Sequence, residues 1–467
     1  MHYQRTLRCF CHWDLGFAGK SGNLFSLVKL SFIKKGLFMI VGIDDTDSRS
    51  GMCTTYLCTV LVDELKSYGE VSTPVLVRLN PCIPFKTRGN GAVAFEILIN
   101  DVRALEREVK EIVKARVSEL SELRAEGTNP GVVFIDDNAS NASFNEKLKR
   151  FYESAVREVL TIEDVYAIIS ELQLDYFGLK NKRGLIGALA AASFLLLHTE
   201  ESYDYTYELI VYRRKERWGT VRFIDDASVW AADEATYPLV WDTVDVANKK
   251  LVLVPHSPCP VLFGIRGDSV DAIYKAYGLI QAEPDERKLL FITNQGTDCH
   301  LMKSEQLQDF HSYILDGVVD SNPMTIEGGH VLFSLTVPGG EVDCIAYEPT
   351  KGFRAIIREL RIGDEVTAYG SLKEGTLNLE KIELRKLNLV VERNPRCNMC
   401  GRNMESAGRS QGYRCKRCGT FSAVKDKVIV ERAIETGLYE VPPVARRHIS
   451  KPLVRMRMGD KIIHPSR

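Results

Sequence analysis

Three carboxylates, Asp44, Asp45 and Asp47, follow the apolar run 38–43 and stand shortly before the paired hydroxyls of Thr54 and Thr55. That order suits metal-assisted phosphate chemistry. Three acids repel a bare triphosphate, but they become useful once Mg²⁺ lies between them and the phosphates, because Mg²⁺ takes one or two protein carboxylates and completes its shell with phosphate oxygens and water. The opposite charge comes from RLNPCIPFKTRGNG at 78–91, which carries Lys86, Arg88, Gly89, Asn90 and Gly91. Glycines there let backbone N–H groups approach an anion, and the two cations neutralise it. A third basic stretch, LKNKRGLIGALA at 179–190, places Lys180, Lys182 and Arg183 ahead of a small-residue helix, where they read equally as phosphate ligands or as solvated charge.

The elements that must hold these residues are legible around them. The run 38–43, bounded by Gly36 and Gly42, predicts a buried strand whose carboxyl end carries the acids. In open α/β layers ligands gather at such strand ends, near the unpaired N–H groups of the following helix. After Gly51, Leu57, Val60, Leu61 and Leu65 recur on one helical side, so Thr54 and Thr55 fall in a first turn, where a hydroxyl binds phosphate, receives it or caps. Strands at 71–77 and 92–99 flank the basic loop, and an amphipathic helix spans 102–124. The strings VVFIDD at 132–137 and VRFIDD at 221–226 repeat the strand-then-aspartates pattern. Strands at 207–212, 220–224, 250–254 and 261–264, with a helix at 268–278, predict an α+β ferredoxin-like layer over 171–305.

Between 311 and 392 the texture changes to strands at 312–319, 330–337, 341–347, 364–371 and 376–387 with one helix at 353–360, the pattern of a five-stranded OB barrel. Such a barrel reads nucleic acid through an exposed face; a protein-binding barrel is the alternative. The most specific motif follows at 393–435: Cys397 and Cys400, fourteen residues, then Cys415 and Cys418. Paired CxxC knuckles make a four-thiolate zinc ribbon, with Gly401 and Gly419 in the tight turns, and four sulfurs leave the metal no open position for chemistry.

A length of 467 residues with 45% hydrophobic and 26% charged side chains leaves material for roughly three or four packed domains. The net charge of −1 hides an asymmetry, because residues 393–467 hold 17 Lys or Arg against 6 Asp or Glu, a balance of +11. A ribbon and basic tail (436–467) of that charge attract a polyanion such as RNA. The other eight cysteines form no regular framework, which favours a reducing cytoplasm. The most apolar early stretch, 23–43, is interrupted by Lys29, Lys34 and Lys35, so no membrane span is expected. Residues 1–37 lack periodicity and any signal or transit pattern, and Met39 is expected to be the genuine start.

In this order, VGIDDTDSRSGMCTTYL, RLNPCIPFKTRGNG, FGLKNKRGLIGALAA, PVLFGIRGDS with NQGTD, a barrel and a CxxC–CxxC ribbon resemble the archaeal tRNA(Ile) 2-agmatinylcytidine synthetase family, TiaS, from Met39 to the ribbon. The resemblance implies a multidomain α+β protein: a kinase-like α/β domain over 38–170, completed by residues near 255–300, then the ferredoxin-like domain, the OB-fold β-barrel and the zinc ribbon. It implies an ATP-dependent ligase that joins agmatine to carbon 2 of the wobble cytidine of the isoleucine tRNA with a CAU anticodon, leaving AMP and phosphate. ATP, Mg²⁺ and Zn²⁺ are the implied cofactors.

The chemistry explains the residues. The cytidine 2-oxygen is a poor leaving group until phosphorylated, so the enzyme is in part a phosphoryl-transfer machine. On this reading Asp44, Asp45 and Asp47 hold Mg²⁺, while Lys86 and Arg88 offset developing charge. Thr54 matches the family's autophosphorylated threonine, with Thr55 as understudy. Agmatine is a cation, and Asp225, Asp226 and Asp298 are the expected carboxylates for it. Two rivals stand beside this reading. A non-catalytic RNA-binding protein leaves the acidic loop idle, and a small-molecule kinase leaves the basic C-terminus unexplained.

Overall fold

The computed structural model describes residues 36–467 apart from 86–88, 101–102, 137–141, 457–458 and 460–461. Most of the extension 1–37 thus lies outside the described residues. Strand β1 (Gly36–Asp44) begins before Met39 and alternates its faces: Ile40 enters one core, whereas Met39, Val41 and Ile43 enter the other. After it come α1 (Thr54–Leu65), β2 (Gly69–Val71), β3 (Val75–Arg78), β4 (Gly91–Asn100), α2 (Arg103–Leu120), β5 (Gly131–Asp136), α3 (Ala142–Arg157), α4 (Ile162–Leu172), β6 (Asp175–Gly178) and α5 (Gly184–Leu197). Helices α1 and α2 cover one face of the sheet, and α3, α4 and α5 cover the other. The strand expected over 71–77 is two strands. Pro74 has no N–H for a ladder, and the Glu96 N–H donates to the Ser72 hydroxyl at 3.0 Å where the chain turns.

The chain continues through β7 (Thr206–Arg213), α6 (Asp226–Thr236), β8 (Val240–Trp241), a ribbon of β9 (Val244–Asp245) and β10 (Lys250–Leu251), β11 (Val261–Gly267), α7 (Val270–Leu279) and β12 (Asp285–Thr293). These strands extend the first sheet in the order β6-β5-β1-β4-β3-β12-β7-β11-β8, with β2 beside β4. The seam is a parallel contact, Ile292 opposite Val75 and Thr293 opposite Leu76, whereas β1, β4, β5, β7 and β11 meet their neighbours antiparallel. Because Ile210, Tyr212 and Phe291 join the core under α1 and α2, packing runs unbroken past residue 170.

Two expected strands are absent as such. Residues 221–223 lie outside any strand, and Ile224 makes a single bridge to Ala282. Their backbone is held instead by a buried ion pair: Arg213 donates to the carbonyls of Thr220 (2.7 Å) and Val221 (3.0 Å), and Glu283 accepts from Phe223 N–H (3.1 Å). VRFIDD therefore leads into a helix and is no echo of the first motif. Over 250–254 only the two residues of β10 pair, and the rest borders the cavity described below.

From β13 (Leu301–Met302) the chain enters a second sheet of β14 (Ser312–Val319), β15 (Met324–Thr325), β16 (Val331–Val337), β17 (Gly340–Ala346), then α8 (Phe353–Arg358), β18 (Glu365–Lys373) and β19 (Thr376–Lys386). Pairings β14–β16, β16–β17, β17–β19, β19–β18 and β18–β14 close a five-stranded barrel around one core. The four-cysteine ribbon stands off this barrel on a stalk in which Val390–Arg393 pairs with Asp426–Ile429.

The C-terminal segment is no loose basic tail. Gly437–Glu440 pairs with β19, and Leu438, Val441, Ile449 and Leu453 are buried. Its cations find partners inside the molecule: Arg446 with Asp242 and Glu440, Arg447 with Glu380, Lys451 with Asp204, Arg455 with Asp268, and Arg467 with Asp233. The ribbon's Arg396, Arg402, Arg409, Arg414 and Arg417, by contrast, are exposed. Among the described residues no helix is long and apolar enough to cross a membrane.

Candidate active site

The acidic loop is held by its own small residues. Asp44 ends β1 opposite Gly131, and Asp45 takes a left-handed backbone (φ 59°) that aspartate tolerates better than most residues. The Thr46 hydroxyl donates to Thr54 Oγ1 at 3.1 Å, tying the loop to the start of α1. Ser48 Oγ accepts from the N–H groups of Ser50 (3.1 Å) and Gly51 (3.2 Å), and Thr128 donates to the Asp47 carbonyl at 2.7 Å. Thr54 and Thr55 are both buried, and Thr55 Oγ1 lies 3.0 Å from Cys53 Sγ.

Beneath the acids runs α5, apolar on every side and buried except at Leu196. It approaches β1 so closely that a Cβ on Gly42 would lie 2.0 Å from the Ala188 carbonyl oxygen, and one on Gly187 would lie 1.9 Å from Asp44 Oδ2. Glycine at 187 is what lets the Asp44 carboxylate rest on the helix. Burial, with Asp45 alongside, holds the Asp44 carboxyl well above the usual carboxylate range. Burial, then Asp47, pushes Asp45 up to about 7 against the opposing pull of Asn129 and Arg183. Crowded acids raised in this way repel one another when ionised, a repulsion that a cation would relieve.

These residues open into a cavity of about 970 Å³, bordered by Asp44, Asp45, Asp47, Thr54, Thr55, Gly89, Asn90 and Gly91. The fold thus gathers eight of the residues singled out in the sequence; Lys86 and Arg88 lie outside the described residues. Asp225, Asp226 and Asp298 are elsewhere. Asp225 caps α6 by accepting from Ser228 N–H at 3.1 Å, and Asp226 opens that helix. Asp298 accepts from Lys381 Nζ (2.8 Å) and Lys451 N–H (2.7 Å), joining the first sheet's last loop to the barrel and the C-terminal segment. Of the three cations in the stretch 179–190 only Arg183 borders the cavity, since Lys180 donates to the carbonyls of Ala125 and Glu126 and Lys182 lies over the Tyr176 ring.

The sequence did not single out the opposite wall. Arg78 at the end of β3 and Arg266 in β11 share the buried Glu208, at 3.8 and 3.9 Å, and Arg446 and His448 come from the C-terminal segment. Burial first, then Arg78 and Arg266, holds His448 well below the usual imidazole range, so it is neutral. Gly89 and Gly91 lie against the Arg78 guanidinium: a Cβ at either would come within 2.6 and 3.0 Å of its Nη1. An arginine at the end of an apolar strand in VLVR, or within one in FGIR, is the signal that marks Arg78 and Arg266. His448 carries no such signal.

Among the described residues, Cys397, Cys400, Cys415 and Cys418 are the set whose ligand atoms converge, all within 4.8 Å of one another. Gly401 N–H donates to the Cys397 carbonyl at 2.8 Å and Gly419 N–H to that of Cys415 at 2.9 Å, forming the two knuckles. Four converging thiolates fit tetrahedral zinc. The aspartates offer hard oxygens but form no closed cage, which fits an ion that takes most of its shell from phosphate and water.

Comparison with known proteins matches residues 40–181 to the TiaS TCKD domain, 182–300 to the TiaS FLD domain and 394–434 to the TiaS C-terminal zinc ribbon domain. The isoleucine-tRNA 2-agmatinylcytidine synthetase TiaS of Methanosarcina mazei is 49% identical over 92% of this chain and all of its own length. That of Archaeoglobus fulgidus is 47% identical over 91% of this chain and 99% of its own. A solved complex of TiaS with its isoleucine tRNA and ATP superposes with a TM-score of 0.82 at 46% identity, covering 91% of this chain and 99% of that one. A complex of TiaS with the same tRNA, AMPCPP and agmatine does so with 0.80 at 43% identity over the same shares.

Proposed function

The chain belongs to the isoleucine-tRNA 2-agmatinylcytidine synthetase family, TiaS, and we propose that the cavity below the acidic loop is where its phosphoryl chemistry takes place. The protein is an ATP-dependent C–N ligase that joins agmatine to a cytidine of an isoleucine tRNA, and its ribbon holds zinc. The finer assignments are readings of this site. The modified atom is carbon 2 of the wobble cytidine in the CAU anticodon. Its 2-oxygen attacks a phosphate of ATP, the bond to phosphorus forms as the anhydride bond breaks, and ADP carries the electron pair away. The agmatine amine then displaces phosphate from carbon 2, and hydrolysis of the remaining anhydride by water yields AMP and the second phosphate.

In this scheme Asp44, Asp45 and Asp47 orient the nucleotide's phosphates through Mg²⁺, which when bound supplies charge neutralisation. In autophosphorylation, a reaction separate from the transfer to the base, Thr54 is the phosphate-accepting hydroxyl, and Thr55 holds the helix start. Gly89, Asn90 and Gly91 complete the nucleotide wall, and Lys86 and Arg88 keep the charge-offsetting role read from the sequence. The amine site is sought among the acids that border the cavity, since Asp225, Asp226 and Asp298 are engaged outside it. The labels kinase-like and ferredoxin-like for the two halves of the first sheet, and OB for the barrel, are supported by the shared seam and by the closed circuit of five strands. The barrel and the exposed cations of the ribbon grip tRNA, and the protein works in the cytoplasm.

One observation carries the reading: the acids and the hydroxyl of Thr54 open into one cavity with Arg183. The test is mass spectrometry of the wobble nucleoside after incubating the full chain with the CAU-anticodon tRNA, ATP, agmatine and Mg²⁺. The mass gain of agmatine minus water is expected only with every component present. An unaltered cytidine under those conditions overturns the reading.

A further inference from the structure

Arg183 directly precedes α5, borders the cavity and carries its charge beside Asp44 and Asp45. Its guanidinium lies 4.3 Å from the centroid of the Phe85 ring, and its backbone N–H donates to Asn181 Oδ1 at 3.0 Å, so both the side chain and the turn beneath it are held. Yet its Nη2 is buried and has no hydrogen-bond partner. A buried donor left unsatisfied is costly. Such a group in a native fold calls for something that satisfies it, and here it sits in the cavity wall. The neighbouring lysines are spent on carbonyls and on an aromatic ring. Arg78 and Arg266, on the other wall, share Glu208, and the donor that Arg78 leaves unpartnered is its inner Nε and not an end of the guanidinium fork.

Resting on the phosphoryl-transfer reading above, we propose that Arg183 is a catalytic residue whose free Nη2 bonds the equatorial oxygens of the phosphoryl group as it passes from ATP to the acceptor oxygen. In that passage the acceptor–phosphorus bond forms while the anhydride bond breaks, and negative charge spreads over the three equatorial oxygens. The acids answer that charge only through a metal. Arg183 answers it directly, and its planar fork, held against Phe85, matches a phosphoryl face in a way an ammonium does not.

The experiment compares the full-length wild type with Arg183→Ala and Arg183→Lys, reading ATP cleavage and wobble-base modification together. In Arg183→Ala, kcat is expected to fall about 10²–10³-fold, the loss seen when one transition-state donor is removed. KM for ATP should stay within about threefold, because the contact belongs to the transition state. Added guanidinium should restore part of the activity of Arg183→Ala, and Arg183→Lys should remain below about a tenth of wild type. Wild type should bind ADP with aluminium fluoride more tightly than it binds a non-cleavable ATP analogue, and Arg183→Ala should lose that preference. A kcat within about threefold of wild type, or a loss shared equally by kcat and ATP affinity without guanidinium rescue, overturns the proposal. If wild type splits ATP and leaves the base unaltered, the tRNA reading falls; the Arg183 comparison is then decided on ATP cleavage alone.

Discussion

On the proposed reading, Asp45 couples protonation to metal uptake. Its carboxyl is pushed up to about 7, above the ordinary value near 4 that it has in an unfolded chain, so the folded protein binds the extra proton between those limits. The stability tied to that proton is fully present below about pH 4 and is lost as pH rises through about 7. The metal-free protein is therefore expected to melt at lower temperature at pH 8 than at pH 6, and Asp45→Asn should flatten that difference; thermal unfolding of the two proteins in EDTA checks it. Because a divalent ion binds the charged form, Mg²⁺ affinity should rise across the same interval, as read by calorimetry at pH 6 and pH 8. Asp45→Asn should also reduce ATP turnover by at least about 10²-fold while leaving tRNA affinity nearly unchanged. Normal turnover in that variant would remove the residue from the phosphate chemistry. Asp44, Asp45, Asp47 and Thr54 were legible because strand, acids and helix start lie within one continuous stretch of chain. Arg78, Glu208 and His448 were not, because three distant segments meet to place them.

Among the elements, the segment 220–224 shows what periodicity cannot supply. Its apolar alternation resembles a strand, but a strand needs a neighbour with free backbone groups, and Arg213 with Glu283 takes that role instead. Both side chains are almost wholly buried, at 1% and 3% exposure, so removing one leaves an unpaired charge inside the protein. Arg213→Leu should cost about 3–5 kcal/mol, measurable by urea unfolding, and much of the loss should return when Glu283→Gln is added. A cost below about 1 kcal/mol would mean that water reaches the pair. The β1–α5 contact makes the complementary point. GLIGALA was readable as a small-residue helix, yet only the approach of Ala188 to Gly42 shows that the small residues make room for a strand and a carboxylate.

At the scale of the whole molecule, the ribbon is a separate unit. It carries the exposed Arg396, Arg402, Arg409, Arg414 and Arg417 and stands on a two-stranded stalk, and none of its residues borders the cavity. Cys400→Ser should release zinc, weaken tRNA binding and reduce the slope of its salt dependence, while tRNA-independent ATP cleavage continues. Filter binding across a salt series checks this, and an unchanged slope would separate the ribbon from RNA. The barrel and ribbon were legible as units because each closes through neighbouring stretches of chain. The last 30 or so residues were misread as a basic tail, because their partners Asp204, Asp233, Asp242 and Asp268 lie some two hundred positions upstream.

Pro443, Val444, Arg446 and His448 wall a cavity whose floor is laid down by residues 44–55. A polypeptide still threaded through the ribosome therefore has its acids and hydroxyls in hand but no finished chamber around them. The chamber closes only after the segment through His448 has left the ribosome and folded back over the earlier strands.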